Sequence, residues 1–130
     1  MNEEFSIEII NPDKSFLQRK DVTEVVIPAF EGEMGILKEH ISIISFLKPG
    51  ILKILSNFNT EEYYVEDGIV EFKDNTLSIL TSSIISLQNK DKNKILELLK
   101  NAEEESTKKD LSDQSQYLID QKLEVLKSIN

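Results

Sequence analysis

Ile27-Pro28-Ala29-Phe30-Glu31-Gly32-Glu33-Met34-Gly35-Ile36-Leu37-Lys38-Glu39-His40 runs straight into the apolar stretch Ile41–Leu47, which stops at Lys48-Pro49-Gly50. Short apolar runs rich in β-branched residues, bounded by turn-forming residues, are read as strands. Here Val25-Val26-Ile27 and Ile41–Phe46 are such runs, and Phe30-Glu31-Gly32 and Lys48-Pro49-Gly50 are the breaks.

The same texture extends on both sides. Phe5-Ser6-Ile7-Glu8-Ile9, Val70-Glu71-Phe72 and Leu77-Ser78-Ile79 alternate with period two, and Ile51–Leu55 is another compact apolar run. Further breaks fall at Asn11-Pro12-Asp13, Asn57–Thr60, Asp67-Gly68 and Asp74-Asn75. Asp74-Asn75 lies between two alternating runs and suits a tight hairpin, because both residues tolerate positive φ. Many short strands at intervals of about 8–12 residues point to a sandwich or barrel.

Near residue 88 the texture changes. All four glycines and all three prolines precede residue 69, and the absence of both breakers afterwards favours helix. Ile95, Leu98, Leu99 and Ala102 follow helical spacing, with Lys and Glu on the other face. A second stripe runs through Ile119, Leu123, Leu126 and Asn130, widened by Leu118 and Ile129. Between the stripes lies Ser106–Asp113, rich in capping residues. The expected fold is β + α: an antiparallel β-sandwich over residues 1–88, then an antiparallel two-helix hairpin over residues 89–130. Such a hairpin buries little apolar surface for the chain it orders, so it is expected to be ordered only when docked, on its own sandwich or on another subunit.

Composition narrows the function classes. The 130 residues carry a net charge of −9, with 15 acids and 7 bases before residue 89 and 9 acids and 8 bases after it. An acidic body repels nucleic acid and anionic lipid alike. Cysteine is absent, which excludes disulfides and thiolate metal sites. The acidic N-terminus Met1–Phe5 lacks an apolar signal region, and no apolar run approaches the ~20 residues needed to span a bilayer. The chain is therefore expected to be soluble, with any membrane link made through a partner.

No catalytic set stands out. Gly32 and Gly35 are not followed by Lys-Ser/Thr, and Glu31 and Glu33 would repel a phosphate, so these glycines read as turn residues. His40 is the only histidine and cannot build a metal site without cysteines. It reads as a loop residue whose ring hydrogen-bonds locally, a role compatible with partner contact. Glu61-Glu62 and Glu66-Asp67 read as solvated strand ends and turns, and Glu103-Glu104-Glu105 as a wet helix face.

Residues 27–50 resemble the signature of the epsilon subunit of bacterial and chloroplast F-type ATP synthases, equivalent to the mitochondrial delta subunit. The pattern is a small residue, Glu-Gly-acid-apolar-Gly, an apolar residue, a short gap, His, an apolar run and Lys-Pro-Gly, and it is met without a gap. Tyr63–Phe72 resembles the family's strand–Gly-Gly–strand segment with Asp67 in place of the first glycine, and Asn75–Thr81 resembles the closing strand.

The resemblance implies a non-catalytic central-stalk protein without cofactor that couples c-ring rotation to ATP synthesis. It would sit on the cytoplasmic face of the bacterial inner membrane, peripheral through its complex and monomeric when isolated. It also implies that the sandwich binds the gamma subunit and the c-ring, with Glu31, Gly32, Glu33, Met34, Gly35 and His40 in the facing loop region. The hairpin would fold onto the sandwich or extend transiently into the alpha/beta catalytic head and inhibit ATP hydrolysis. Lys108, Lys109, Lys122 and Lys127 are its candidate head-contacting bases, a thin set interrupted by Asp120 and Glu124. Some members bind ATP through a Leu/Ile-Asp-x-x-Arg-Ala motif. Asp91 is kept here, but Lys94 and Ile95 replace Arg and Ala, and Lys lacks the planar fork that grips phosphate. Weak or absent nucleotide binding is expected. The alternative from another class is a free-standing β-sandwich binding module with a helical dimerisation tail.

Overall fold

The computed structural model describes residues 3–12, 14–57, 59–88 and 92–129. They belong to two compact units, residues 1–88 and 89–130.

The first unit is built from β1 (Phe5–Asn11), β2 (Lys14–Ala29), β3 (Gly32–Ile36), β4 (Ile43–Leu47), β5 (Gly50–Ser56), β6 (Asn59–Val65), β7 (Gly68–Lys73), β8 (Thr76–Leu80) and β9 (Ile84–Ser86). One layer runs from the first part of β2 through β1, β8 and β7 to β4. The other places the second part of β2 between β3 and β5, then continues to β6 and β9. β2, at 16 residues, serves both layers. A register shift between Val22 and Glu24 marks the point where it passes from one to the other, as a bulge bends and twists a strand. Ala29 opposite Leu47 closes the sandwich on the far side. The β1–β8 pair is parallel, the one departure among the described residues from the expected antiparallel arrangement.

The period-two runs bury every second residue. Phe5, Ile7 and Ile9 of β1, Leu52 and Ile54 of β5, Val70 and Phe72 of β7, and Leu77 and Ile79 of β8 all enter the core. Each fully buried side chain of this kind contributes about 1.5–3 kcal/mol. Phe5 meets Phe72 edge-on at 5.7 Å between ring centres. At the Asp74-Asn75 hairpin both residues take positive φ, 52° and 55°, as their turn chemistry predicts. Gly68 is required where it stands. Its φ is +152°, and a Cβ there would lie 2.7 Å from the Leu80 carbonyl oxygen.

Across the open side of the sandwich, Arg19 forms a bidentate pair with Asp21 and a further ion pair with Glu61. Glu61 also accepts a 2.8 Å hydrogen bond from the Tyr63 hydroxyl. The Arg19 guanidinium, through its hydrogen bond, holds the Asp21 carboxyl below the usual range. Burial, then the Glu61 carboxylate, pushes the Tyr63 phenol up to about 12.

Three boundaries differ from the sequence reading. Val25–Ile27 lies near the end of a strand that begins at Lys14. The run Ile41–Phe46 enters its strand only at Ile43, and the break at Asn57–Thr60 is shorter, since Asn59 already belongs to β6.

The second unit holds α1 (Lys92–Ser106) and α2 (Asp113–Ile129). Ile95 and Ala102 of α1 and Ile119 and Leu126 of α2 are buried; Leu98, Leu99, Leu118, Leu123 and Ile129 are half-buried beside them. Asn130 lies outside the described residues. The Ser112 hydroxyl accepts from the Ser115 amide at 3.0 Å and caps α2. Neither helix is long and apolar enough to cross a membrane.

Candidate partner-binding site

The signature segment folds as a hairpin on the edge of the sandwich. β2 and β3 pair from Val25 opposite Ile36 to Ala29 opposite Gly32, leaving only Phe30 and Glu31 in the turn. Gly32, Glu33, Met34 and Gly35 are therefore a strand and not part of a loop, a correction to the sequence reading. Two periods explain it: Met34 leans on the core, while Glu33 and Gly35 are exposed. Gly32 has φ of +129°, so the turn exit demands glycine even though no atom lies within 4 Å of a Cβ there. At Gly35 a Cβ would lie 3.1 Å from a Glu24 carboxylate oxygen.

This turn is fastened to the end of β4. The Phe30 amide donates to the Phe46 carbonyl at 3.1 Å, and the Lys48 amide donates to the Pro28 carbonyl at 3.0 Å. Glu31 is exposed and accepts a long 3.4 Å contact from the Ser45 hydroxyl.

The outward face beside that turn is apolar. In β4 the core takes Ser45 and Leu47, leaving Ile44 at 69% and Phe46 at 55% exposure. Phe46 lies opposite Ile69 of β7, and Ile69 lies opposite Leu80 of β8. Phe30, Phe46, Ile69 and Leu80 thus form a row across three strands and the adjoining turn. Isolated exposed apolar residues are ordinary, but a contiguous group marks an interaction surface.

His40 lies at the other end of β4. Its amide donates to the Leu37 carbonyl at 3.0 Å, and its Nδ1 lies 2.8 Å from the Ile41 carbonyl oxygen. The ring meets Phe72 edge-on at 6.0 Å. Phe72 stands opposite Ile43, whereas the Glu31 turn is tied to Ser45 and Phe46. The fold therefore places Glu31 and His40 at opposite ends of one strand. Near His40, a shallow groove of about 390 Å³ is lined by Ser42, Ile43, Ile44, Glu71, Phe72 and Lys73.

In the helical unit, Lys108 and Lys109 are exposed in the link, Lys127 is exposed in the last turn of α2, and Lys122 is half-buried. Asp120 and Glu124 are exposed on the same helix. Lys94 is exposed in the first turn of α1, whereas Asp91, its companion in the nucleotide motif, lies outside the described residues. Among the described residues no group of three His, Cys, Asp or Glu side chains is placed to hold a metal ion.

The family model for the ATP synthase delta/epsilon chain β-sandwich domain matches residues 4–87. The chain belongs to this family. It is 67% identical over all of its own length to the ATP synthase epsilon chain of Pelagibacter ubique, of which it covers the whole. It is 31% identical, over 75% of its length and 70% of the relative's, to the ATP synthase epsilon chain of Ruthia magnifica. A chain in the solved Euglena gracilis mitochondrial ATP synthase (OSCP/F1/c-ring) shares the fold, with a TM-score of 0.73 at 23% identity, covering 96% of this chain and 78% of that one.

For an ATP synthase delta/epsilon member, the signature segment and the histidine are easily found by reading the chain. The apolar row on β4, β7 and β8 is not. Its signal was present in Ile43-Ile44-Ser45-Phe46-Leu47, which is apolar on both faces of a strand that needs only one for the core.

Proposed function

We propose that this chain works as the epsilon subunit of a rotary ATP synthase, a non-catalytic part of the central stalk. The observation that carries this reading is the exposed apolar row Phe30, Phe46, Ile69 and Leu80, set on a rigid sandwich of this family. A relative identical at 67% of positions over the full length bears the epsilon-chain name, and the Euglena match comes from an assembly that includes F1 and the c-ring.

On this reading the sandwich docks on gamma through the apolar row and meets the c-ring through the turn region of Glu31, Gly32, Glu33, Met34 and Gly35, with His40 contacting a rotor neighbour from the other end of β4. Torque then passes through a body whose core side chains interlock across two layers, which resists shear. The helical hairpin, residues 89–130, is the regulatory element, and Lys108, Lys109, Lys122 and Lys127 are its contacts to acidic segments of the alpha/beta head. Four bases interleaved with Asp120 and Glu124 support at most modest inhibition of hydrolysis. Lys94 in place of arginine argues against firm nucleotide binding through Asp91 and Lys94. The protein would lie at the cytoplasmic face of the inner membrane, held there by its complex.

A pull-down of the tagged chain from membranes of its own host tests this. Co-purification of ATP synthase subunits is expected, and ATP hydrolysis should rise modestly when residues 89–130 are removed. A pull-down without ATP synthase subunits would overturn the reading. Unchanged hydrolysis would leave coupling intact and remove the inhibitory role.

A further inference from the structure

Among the described residues, four other than glycine hold positive φ: Glu39, Asp74, Asn75 and Asp110. Two of these, Glu39 at 68° and Asn75 at 55°, are bonded to each other although 36 positions apart in sequence. The Glu39 amide donates to Asn75 Oδ1 at 2.7 Å, and Asn75 Nδ2 donates to Glu39 Oε1 at 2.7 Å. Asn75 is itself anchored, since its carbonyl accepts from the Ser6 amide of β1 at 3.1 Å.

Asparagine tolerates this backbone region; glutamate does so at a cost that glycine would avoid. Strained positions persist where the surroundings hold them, and they concentrate at functional segments. The strained residue here sits in a tight turn whose flanks are Leu37, 54% exposed, and Ile41, 75% exposed. Among the described residues Ile41 is the most exposed large apolar side chain. Two large aliphatic side chains on one short turn make a paired apolar surface, unlike a single exposed residue. The chain then enters β4 at Ile43, where the outward Ile44 and Phe46 are exposed and apolar as well.

We propose that Glu39 and Asn75 form a clasp that pre-organises the Leu37–Ile41 turn as a contact element for the same partner that covers the apolar row. On the proposed function, on which this inference rests, that partner is gamma. Glu39 and Asn75 are positioning residues: they fix the turn, and Leu37 and Ile41 make the contact. A loop held in its bound shape before encounter forfeits less conformational freedom on docking, which strengthens binding without adding a contact.

The test uses the full-length chain and ATP synthase stripped of this chain and immobilised. Glu39→Gly and Asn75→Gly each keep the positive φ; the first removes only the bond to Glu39 Oε1, because the residue 39 amide still donates to Asn75 Oδ1, and the second removes both bonds. Asn75→Gly is expected to weaken binding about tenfold and Glu39→Gly by less, with melting temperatures within a few degrees of wild type. The double variant should be no weaker than Asn75→Gly alone, because that variant already removes both bonds. Glu39→Gln, which retains the acceptor and the amide, should bind as wild type does. Hydrogen exchange at residues 37–42 should quicken in both glycine variants. Wild-type affinity in both, or unchanged exchange, would overturn the clasp. Failure of the wild-type chain itself to bind would overturn the proposed function and the clasp with it, whereas glycine variants that melt lower yet bind normally would reduce the clasp to a stability feature.

Discussion

Replacing Phe46 with serine separates partner binding from folding. A phenylalanine side chain offers about 200 Å² of contact surface. Phe46 is 55% exposed, so about 110 Å² remains to be covered by a partner. At about 25 cal/mol per Å² this corresponds to about 2.7 kcal/mol on full burial. Allowing for the surface that serine keeps, Phe46→Ser should cost about 2 kcal/mol of binding, or about thirtyfold in Kd. The fold should lose at most about 2 kcal/mol, because the remaining area of the side chain, about 90 Å², is covered within the chain itself. The assay is binding of the purified chain to ATP synthase stripped of it, with thermal unfolding as the control. A Kd within twofold of wild type, in a variant that is folded at the assay temperature, would refute the claim that the apolar row is a docking surface.

Gly68→Ala should destabilise the sandwich by about 3 kcal/mol, measured by denaturant unfolding, because it combines a positive φ with a backbone clash at Leu80. Tyr63, whose phenol is raised to about 12, binds its proton more tightly folded than unfolded. The stability it adds is complete below about pH 10 and is lost as pH rises from about 10 to about 12, so Tyr63→Phe should flatten the decline of stability over that window. Ser112→Ala removes the α2 cap and should lower the stability of the helical unit by about 1 kcal/mol, read as lost helical signal on heating.

Where one local rule decides the geometry, the sequence was a sufficient guide. Asp74-Asn75 between alternating runs specified its hairpin because both residues accept positive φ. The alternation in β1, β7 and β8 specified their core faces. The helical stripes specified Ile95, Ala102, Ile119 and Leu126 as seam residues. β2 was mostly hidden. Gln18-Arg19-Lys20-Asp21 interrupts any apolar alternation, and a strand shared by two layers changes its buried face midway. Arg19, the sole arginine, is absorbed by Asp21 and Glu61, and Glu61 is distant in sequence. The candidate site was legible only in part for the same reason. Glu31–Gly35 and His40 share a motif, yet strand direction places Glu31 and His40 at opposite ends of β4. The apolar row draws Phe30, Phe46, Ile69 and Leu80 from four segments, and the Glu39–Asn75 clasp from two. Such groupings exist only in the folded register.

The measurement that bears most directly on the central claim is add-back. Membranes of the host are stripped of this chain, and ion-driven ATP synthesis is recorded before and after the purified full-length chain is returned. The account predicts that synthesis is poor in stripped membranes and recovers with the wild-type chain, and that Phe46→Ser restores it only at about thirtyfold higher concentration. Synthesis that is indifferent to the chain, in membranes shown to lack it, would contradict a role in the central stalk.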